Sequence, residues 1–463
     1  MFDLDRPFER PTFPLSGWRR LPTIARDAIV STSHPLATRA GMRALEAGGN
    51  AVDAALAAAA MLTVAEPGHN GIGGDAFALV WNHGKLYALN GSGRSPAQID
   101  SNRVDQYGPR SVTVPGAVSA WADLAARFGR FGLDQALVPA VDAAERGVAA
   151  TARVAKHWRL SPRAPWPAPH AGEVYTLPEL AVTLRRLAQE GPDALYRGTI
   201  AEQIAAATWL SADDLAAHRP DWVEPLRGEY RGLTVCECPP NTQGVAVIEA
   251  LAAMADDADL HGRIEAVRHG LDYARTHVGD AARGDTTYLC VVDGERTAVS
   301  LIQSTYEHFG SGVVAGDTGI VMQNRGACFV EDEGHPNQLA PAKRPFHTII
   351  PGMLLRDEEL LGPFGIMGGP MQAQAHVQFV HRIAEGDDPQ AALDSARFRV
   401  KGERRVMLEP GLAGEVEALR ALGDDPVVDE TPDKFGVGQS IVVLGPSLMA
   451  GSDSRADGHA AGI

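Results

Sequence analysis

Strand-like segments crowd both ends of this chain, and helical periodicity fills its middle. "AIVS" at Ala28 to Ser31 reads as a strand, and "AFALVWNHGKLYALNG", with two apolar runs around His83-Gly84, reads as a hairpin. From about Gly116 to Ala274 the text is largely helical: "PGAVSAWADLAARFG", "LDQALVPAVDAAERGV" and "TLPELAVTLRRLAQEGPDALYRGTIAEQIAAA" space their apolar residues near 3.6. "RGLTVCECPPNTQG" interrupts them as strand then turn. Strands and turns return from Thr286 onward, with one clear helix at Gln372 to Ala384. That order argues for stacked α and β layers rather than alternating βαβ units. Two early helices are marked by their ends: Ser33 and Pro35 start the first, Gly48-Gly49 stop it, and Asn50 to Val64 form the second. The alanine-rich face of the second permits close approach of a neighbour, which suits a central position in a layered fold. Neither an internal repeat nor a low-complexity linker divides the chain.

At 463 residues the chain can bury ample core around one or two fused units. Hydrophobic residues are 45% and charged ones 22%, with Gly 49 and Pro 31, as in a soluble, turn-rich globular protein. The formal charge of −16 opposes attraction to nucleic-acid phosphates or anionic lipid. Cys236, Cys238, Cys290 and Cys328 are too scattered for a disulfide framework, and reduced thiols in a cytoplasmic protein are the expectation. "MFDLDRPFERPTFPLSGWRRLP" lacks the basic-then-apolar order of an export signal. Ala51 to Val64 is too short to span a bilayer.

The hairpin that opens the final third raises a chemical question. Apolar runs at Thr286 to Val292 and Thr297 to Gln303 flank Asp293-Gly294-Glu295-Arg296, and pairing back from that loop sets Gln303 or Ser304 opposite Thr286. Thr286 then meets a hydroxyl or sits one step from it. The ordinary reading of Thr286-Thr287 is that β-branched residues suit a strand. Cutting the Asp285–Thr286 bond would instead free an α-amino group with a reference pKa of about 7.7 to 8.0 beside its own β-hydroxyl. One residue would then supply both nucleophile and general base. In the uncut chain the same hydroxyl is placed to attack the Asp285 carbonyl and form an ester that water opens.

Five separated segments bear on that question: "GNAVDAALAAAAMLTVAEPGHNGIGGDAFALV", "DTTYLCVVD…FGSGVVAGDTGIVMQNRG", "AKRPFHTIIPGMLL", "GIMGGPMQAQAHVQ" and "GSDSRADGHAAG". Together, in order and over nearly the whole chain, they resemble the γ-glutamyltranspeptidase family of N-terminal nucleophile hydrolases. The resemblance implies an α+β fold, the four-layer αββα sandwich, and self-cleavage into a large subunit, 1–285, and a small subunit, 286–463. It implies Thr286 as nucleophile, Thr287 as its supporting hydroxyl, and Ser304 where a threonine normally holds the new amine. Gly368 and Gly369 match the pair whose backbone N–H groups form the oxyanion hole. A Gly-Gly pair is ordinarily a turn, but this one precedes a helix.

Departures from the family pattern bear on substrate. Cys328 stands where an acid grips the glutamate amino group, and His347 and Thr348 follow Arg344-Pro345-Phe346 where a serine pair follows Arg-Pro-Leu. Tyr306 replaces an asparagine and Arg325 a glutamine; the carboxylate-clamping arginine aligns near Ser101, with Arg94 and Arg103 close in sequence. The lid is cut to "VEDEGHPNQLAPA". Burying an ammonium without its carboxylate is costly, so a γ-glutamyl amide is disfavoured. A pocket of Tyr306, Arg325, His347 and Thr348 suits an amide carrying an anionic or planar group, as in the oxamate amidohydrolase and cephalosporin acylase-like branch. For Arg325 and His347 a surface ion pair or a satisfied polar contact is the competing reading.

Other signals carry less. "GHNGIGGD" follows a helix and lacks the lysine of a phosphate loop. Cys236-x-Cys238 has no second ligand pair, and the histidines show no ligand spacing, so no metal or cofactor is expected. The expectation is therefore a self-processing threonine amide hydrolase acting on a small amide, its two subunits drawn from one precursor, with further homo-oligomerisation open. Its rivals are a true γ-glutamyltransferase or glutathione hydrolase, and an unprocessed, non-catalytic binding or scaffold homologue.

Overall fold

The computed structural model describes residues 20–280 and 284–463. Residues 1–19 of the amino-terminal stretch read for an export signal lie outside the described residues. Two seven-stranded sheets dominate them. One runs Thr23–Ala25, Ser447–Ser452, Val437–Leu444, Glu359–Met367, Gly352–Arg356, Leu233–Glu237, Leu226–Tyr230. The other runs His459–Gly462, Ile29–Thr32, Asp285–Val292, Ala298–Tyr306, Asp75–Asn82, Lys85–Asn90, Asp221–Val223.

The strand beginning at Asp285 is central in its sheet, and burial of both its faces explains its unbroken apolar text. Tyr288, Cys290 and Val292 turn inward to a core shared with Met353, Met367, Ile441 and Leu448 of the facing sheet. Leu289 and Val291 turn outward to the Ala51–Ala65 helix and its neighbours. Behind the other sheet, helices Gly244–Ala253, Leu260–His277 and Met371–Ala384 pack on Val235, Leu354 and Ile366. The layers are thus helix, sheet, sheet, helix, the four-layer sandwich expected from the motifs. The sheets close tightly where the Tyr288 ring lies on Gly365; a Cβ there would fall 2.3 Å from the ring.

The early helices begin close to where their end signals place them. Pro35–Glu46 starts after His34, whose Nδ1 accepts from Leu36 N–H at 3.2 Å. Ala51–Ala65 opens with a reciprocal box: the Asn50 side chain accepts from Val52 and Asp53 N–H, and Asp53 accepts from Asn50 N–H at 2.8 Å. All fifteen of its residues are buried, as a central helix requires. The middle of the chain is less uniformly helical than its periodicity predicts. Asp221–Val223 and Leu226–Tyr230 are strands, each on the edge of a different sheet; the first is too short to show a period of two, while the second does alternate as Leu-Arg-Gly-Glu-Tyr. No helix among the described residues is long and apolar enough to cross a membrane.

Asp293 ties the hairpin loop to the helical layer. Its Oδ2 accepts from Ala51 N–H at 2.8 Å, and its Oδ1 accepts from Glu295 and Thr297 N–H, both at 3.0 Å. Asp293→Ala leaves these donors without a partner in a buried setting. The expected loss is about 3 kcal/mol in urea unfolding, and a loss within error would show that water replaces the carboxylate.

Candidate active site

The hairpin pairs Thr287 with Gln303 and Asp285 with Tyr306, so the single residue Thr286 faces both Ser304 and Thr305. This bulge meets the expected juxtaposition: Ser304 is across from Thr286, and on its other side it pairs with Asp75. Tyr306 turns out of the strand with φ of +80°, a conformation a bulky residue holds only under constraint. Its N–H donates to Ser304 Oγ at 2.7 Å.

Four contacts define the 285–286 linkage. Ser304 Oγ donates to the Asp285 carbonyl oxygen. Thr286 N–H donates to Asp285 Oδ1 at 2.8 Å. Gln372 Nε2 donates to Thr286 Oγ1 at 3.1 Å, while Gln372 Oε1 accepts from Ile350 N–H at 3.1 Å, which fixes the orientation of the amide. Arg325 Nη2 donates to Ser304 Oγ at 3.3 Å. The hydroxyl of Thr286 and the carbonyl beside it are both gripped, in a fully buried position. Thr287 is directed elsewhere: its hydroxyl lies 3.5 Å from the Gln303 carbonyl.

Gly284 and Asp285 fill the space against the Gly-Gly pair. Gly369, at φ +59°, approaches so closely that a Cβ would lie 2.8 Å from Gly284 O and 2.9 Å from its N. Gly368, at φ +137°, lines the neighbouring cavity. Gly284 also covers Thr348 and Tyr306: a Cβ on it would lie 3.0 Å from Gly369 Cα, 3.2 Å from Thr348 Oγ1 and 3.5 Å from the Tyr306 ring.

Arg325 is wholly buried, with its guanidinium 4.5 Å from the Tyr306 ring centroid and Nη1 donating to Thr348 Oγ1 at 3.2 Å. Cys328 Sγ is 3.9 Å from the same nitrogen. His347 is placed differently from Tyr306, Arg325 and Thr348. Its Nε2 lies 2.8 Å from Asp75 Oδ2, both side chains fully buried, and Asn241 Nδ2 approaches its Nδ1 at 3.2 Å. Burial and the Arg325 charge push its pKa down to about 4 despite Asp75. Nε2 donates to Asp75, while Nδ1 faces both Asn241 Nδ2 and, at 3.0 Å, the Pro345 carbonyl oxygen. Asp75 Oδ1 also accepts from Gly93 and Gly116 N–H, so the pair fastens loops beneath the site. Arg94 and Arg103 lie at the surface with Asp221 and Asp105.

A cavity of about 470 Å³ opens beside Asp285, lined by Gly368 and by the cations Arg153, Arg163, Arg399 and Lys434. Three histidines from distant segments meet here: rings of His69, His157 and His308 stand 4.9 to 5.1 Å apart. Burial opposes ionisation of Asp285, but the charge of His308 outweighs it and holds the carboxyl well below the usual range. Burial likewise works against His308 and is overcome by Asp285, which raises it.

Gln372, Asp75 and the histidine group went unread in the sequence. Gln372 stands inside "GIMGGPMQAQAHVQ", three residues after Gly369, and that placement is the one signal that marks it. With scission expected before Thr286, Gln372→Ala should slow the appearance of two fragments on a denaturing gel about tenfold, the worth of one buried hydrogen bond. An unchanged rate would mean that Gln372 plays no part in orienting the hydroxyl.

The sequence profile of the gamma-glutamyltranspeptidase family matches residues 37–282 and 263–463. The glutathione hydrolase-like YwrD proenzyme of Bacillus subtilis is 32% identical over 95% of this chain and 99% of its own. The oxamate amidohydrolase proenzyme of Klebsiella pneumoniae is also 32% identical, again over 95% and 99%. The crystal structure of cephalosporin acylase from Bacillus halodurans superposes with a TM-score of 0.92 at 38% identity, covering 98% of this chain and 99% of that one. Profile, relatives and four-layer fold agree, and the chain belongs to the gamma-glutamyltranspeptidase family, on its acylase and amidohydrolase side.

Proposed function

We propose that this protein cuts itself before Thr286 and then hydrolyses a small amide whose acyl part carries a carboxylate. One observation carries the reading: Thr286 Oγ1 is held by Gln372 while Ser304 Oγ donates to the carbonyl oxygen of the adjoining residue. Attack of Oγ1 on the Asp285 carbonyl carbon puts negative charge on the oxygen that Ser304 touches, where a fixed donor is most effective. The C–N bond then breaks, the Thr286 nitrogen takes the proton that Oγ1 gave up on attack, and an Asp285–Thr286 ester remains. Water hydrolyses it to a free Asp285 carboxylate and a free Thr286 amine. Both resulting pieces, 1–285 and 286–463, contribute strands to both sheets, which favours their staying together.

Withdrawal of the Gly284-Asp285 end would uncover Gly368, Gly369, Thr348 and Tyr306, with Arg325 behind them. Substrate then takes the place of the departed peptide. The Thr286 amine accepts the hydroxyl proton, Oγ1 forms the acyl ester, the glycine N–H groups hold the oxyanion, and Ser304 turns to the amine. Arg325, bonded to hydroxyls, is the cation for the acyl carboxylate. Thr287 supports the strand at the nucleophile, and His347 holds the floor through Asp75. Four free, buried cysteines support a reducing, cytoplasmic setting.

Amidase activity should exceed γ-glutamyl activity. With oxamate, glutaryl amides and a γ-glutamyl anilide assayed side by side, the expected order puts the first two at least tenfold ahead in kcat/KM; efficient γ-glutamyl turnover would overturn the substrate assignment. The base is an α-amine of reference pKa about 7.7 to 8.0, active only when deprotonated. Thus kcat/KM should fall about tenfold per pH unit on the acid side of that amine's pKa. A flat profile between about pH 5 and 8 would remove the amine as base.

A further inference from the structure

His69, His157 and Asp285 reach one point from three remote places: the turn after the Ala51–Ala65 helix, the Ala152–Leu160 helix, and the start of the Asp285–Val292 strand. One ligand-capable atom of each lies within 4.8 Å of the other two. The contacts form a chain between two carboxylates. Asp433 Oδ2 is 3.2 Å from His157 Nε2, His157 Nδ1 is 2.9 Å from His69 Nε2, and His69 Nδ1 is 3.5 Å from Asp285 Oδ1. Three gaps must be bridged, and two neutral imidazoles own one N–H each. Whichever tautomers form, one gap sets an electron pair against another. His69 Nδ1 is buried without a hydrogen-bond partner, which places the deficit at the Asp285 end.

We propose that His69, His157 and Asp285 bind a divalent transition metal of the zinc, cobalt or nickel class in the uncut chain. Two imidazoles and one carboxylate are the donor set such borderline ions take. His69 meets His157 through Nε2 and Asp285 through Nδ1, so an ion at about 2.0–2.1 Å from each ligand would take one nitrogen from each ring as the contact between the rings opens. Outer groups are in place to orient the ligands: Asp433 stands on the far nitrogen of His157, and His308 Nδ1 pairs with the second oxygen of Asp285. His157 and Asp285 line the cavity, which supplies an entry path and room for further ligands. A second group, His261, Glu265 and Asp424, differs in kind: Arg268 already holds Asp424 at 2.6 Å.

The site exists in the uncut chain whether or not that chain is later cleaved, so it is measured on full-length Thr286→Ala. Titration with zinc chloride in a calorimeter, with metal analysis after gel filtration, should give one zinc per chain at micromolar affinity or tighter. The double substitution His69→Gln and His157→Gln should weaken binding at least a hundredfold, Asp433→Asn about tenfold, and His261→Ala not at all. Cobalt added to Thr286→Ala itself should develop visible absorption that one equivalent of zinc removes, a readout independent of whether the histidine variants fold. Failure of Thr286→Ala to bind either ion, or unchanged affinity in the double variant, overturns the site. Cleavage of the wild-type chain is read separately on a gel, so the loss of either reading leaves the other standing.

Discussion

One hydroxyl on one carbonyl organises this site: Ser304 Oγ donates to the oxygen of Asp285. In a buried setting that donor is stronger than in water and needs no rearrangement when charge develops. The contact exists because the hairpin bulges. Two residues of one strand face Thr286 on the other, and the positive φ of Tyr306 turns its own N–H onto the same Ser304 oxygen. Arg325 adds a third partner, so the hydroxyl has a single direction left for its proton.

The surrounding layers convert this local grip into a rigid frame. The Asp285–Val292 strand is sandwiched between a helical layer and a second sheet, and Tyr288 packs on Gly365 too closely for any side chain there. Asp75 and His347 lock the floor, Gln372 fixes the hydroxyl from the far helix, and Gly284 rests on Gly369. Thr286 is therefore placed by both sheets and by one helix from each side. In the proposed function, the Gly284-Asp285 peptide that offers the scissile bond also occupies the ground a substrate needs, so scission would open the acyl pocket.

Much of this was legible from residues in order. The two apolar runs around Asp293 to Arg296 specify the hairpin, hence the neighbourhood of Thr286 and Ser304, because register follows from loop length. Gly48-Gly49 and the alanine-rich run that follows mark the central helix from Asn50 to Val64. What stayed hidden depends on contacts across hundreds of positions. His347 looked like a pocket residue until Asp75, far back in the chain, claimed its ring. His69, His157 and His308 carry no shared spacing, and only the packing of a turn, a helix and a strand end brings them to Asp285. Gln372 lay in plain view within a quoted motif, but an amide on a helix has many ordinary uses.

N-terminal sequencing of purified, catalytically active protein tests the central claim most directly. The smaller fragment should begin Thr-Thr-Tyr-Leu, the residues from Thr286 onward, and the larger should end in Asp285. Active protein recovered as a continuous polypeptide, with the 285–286 bond intact, would contradict it.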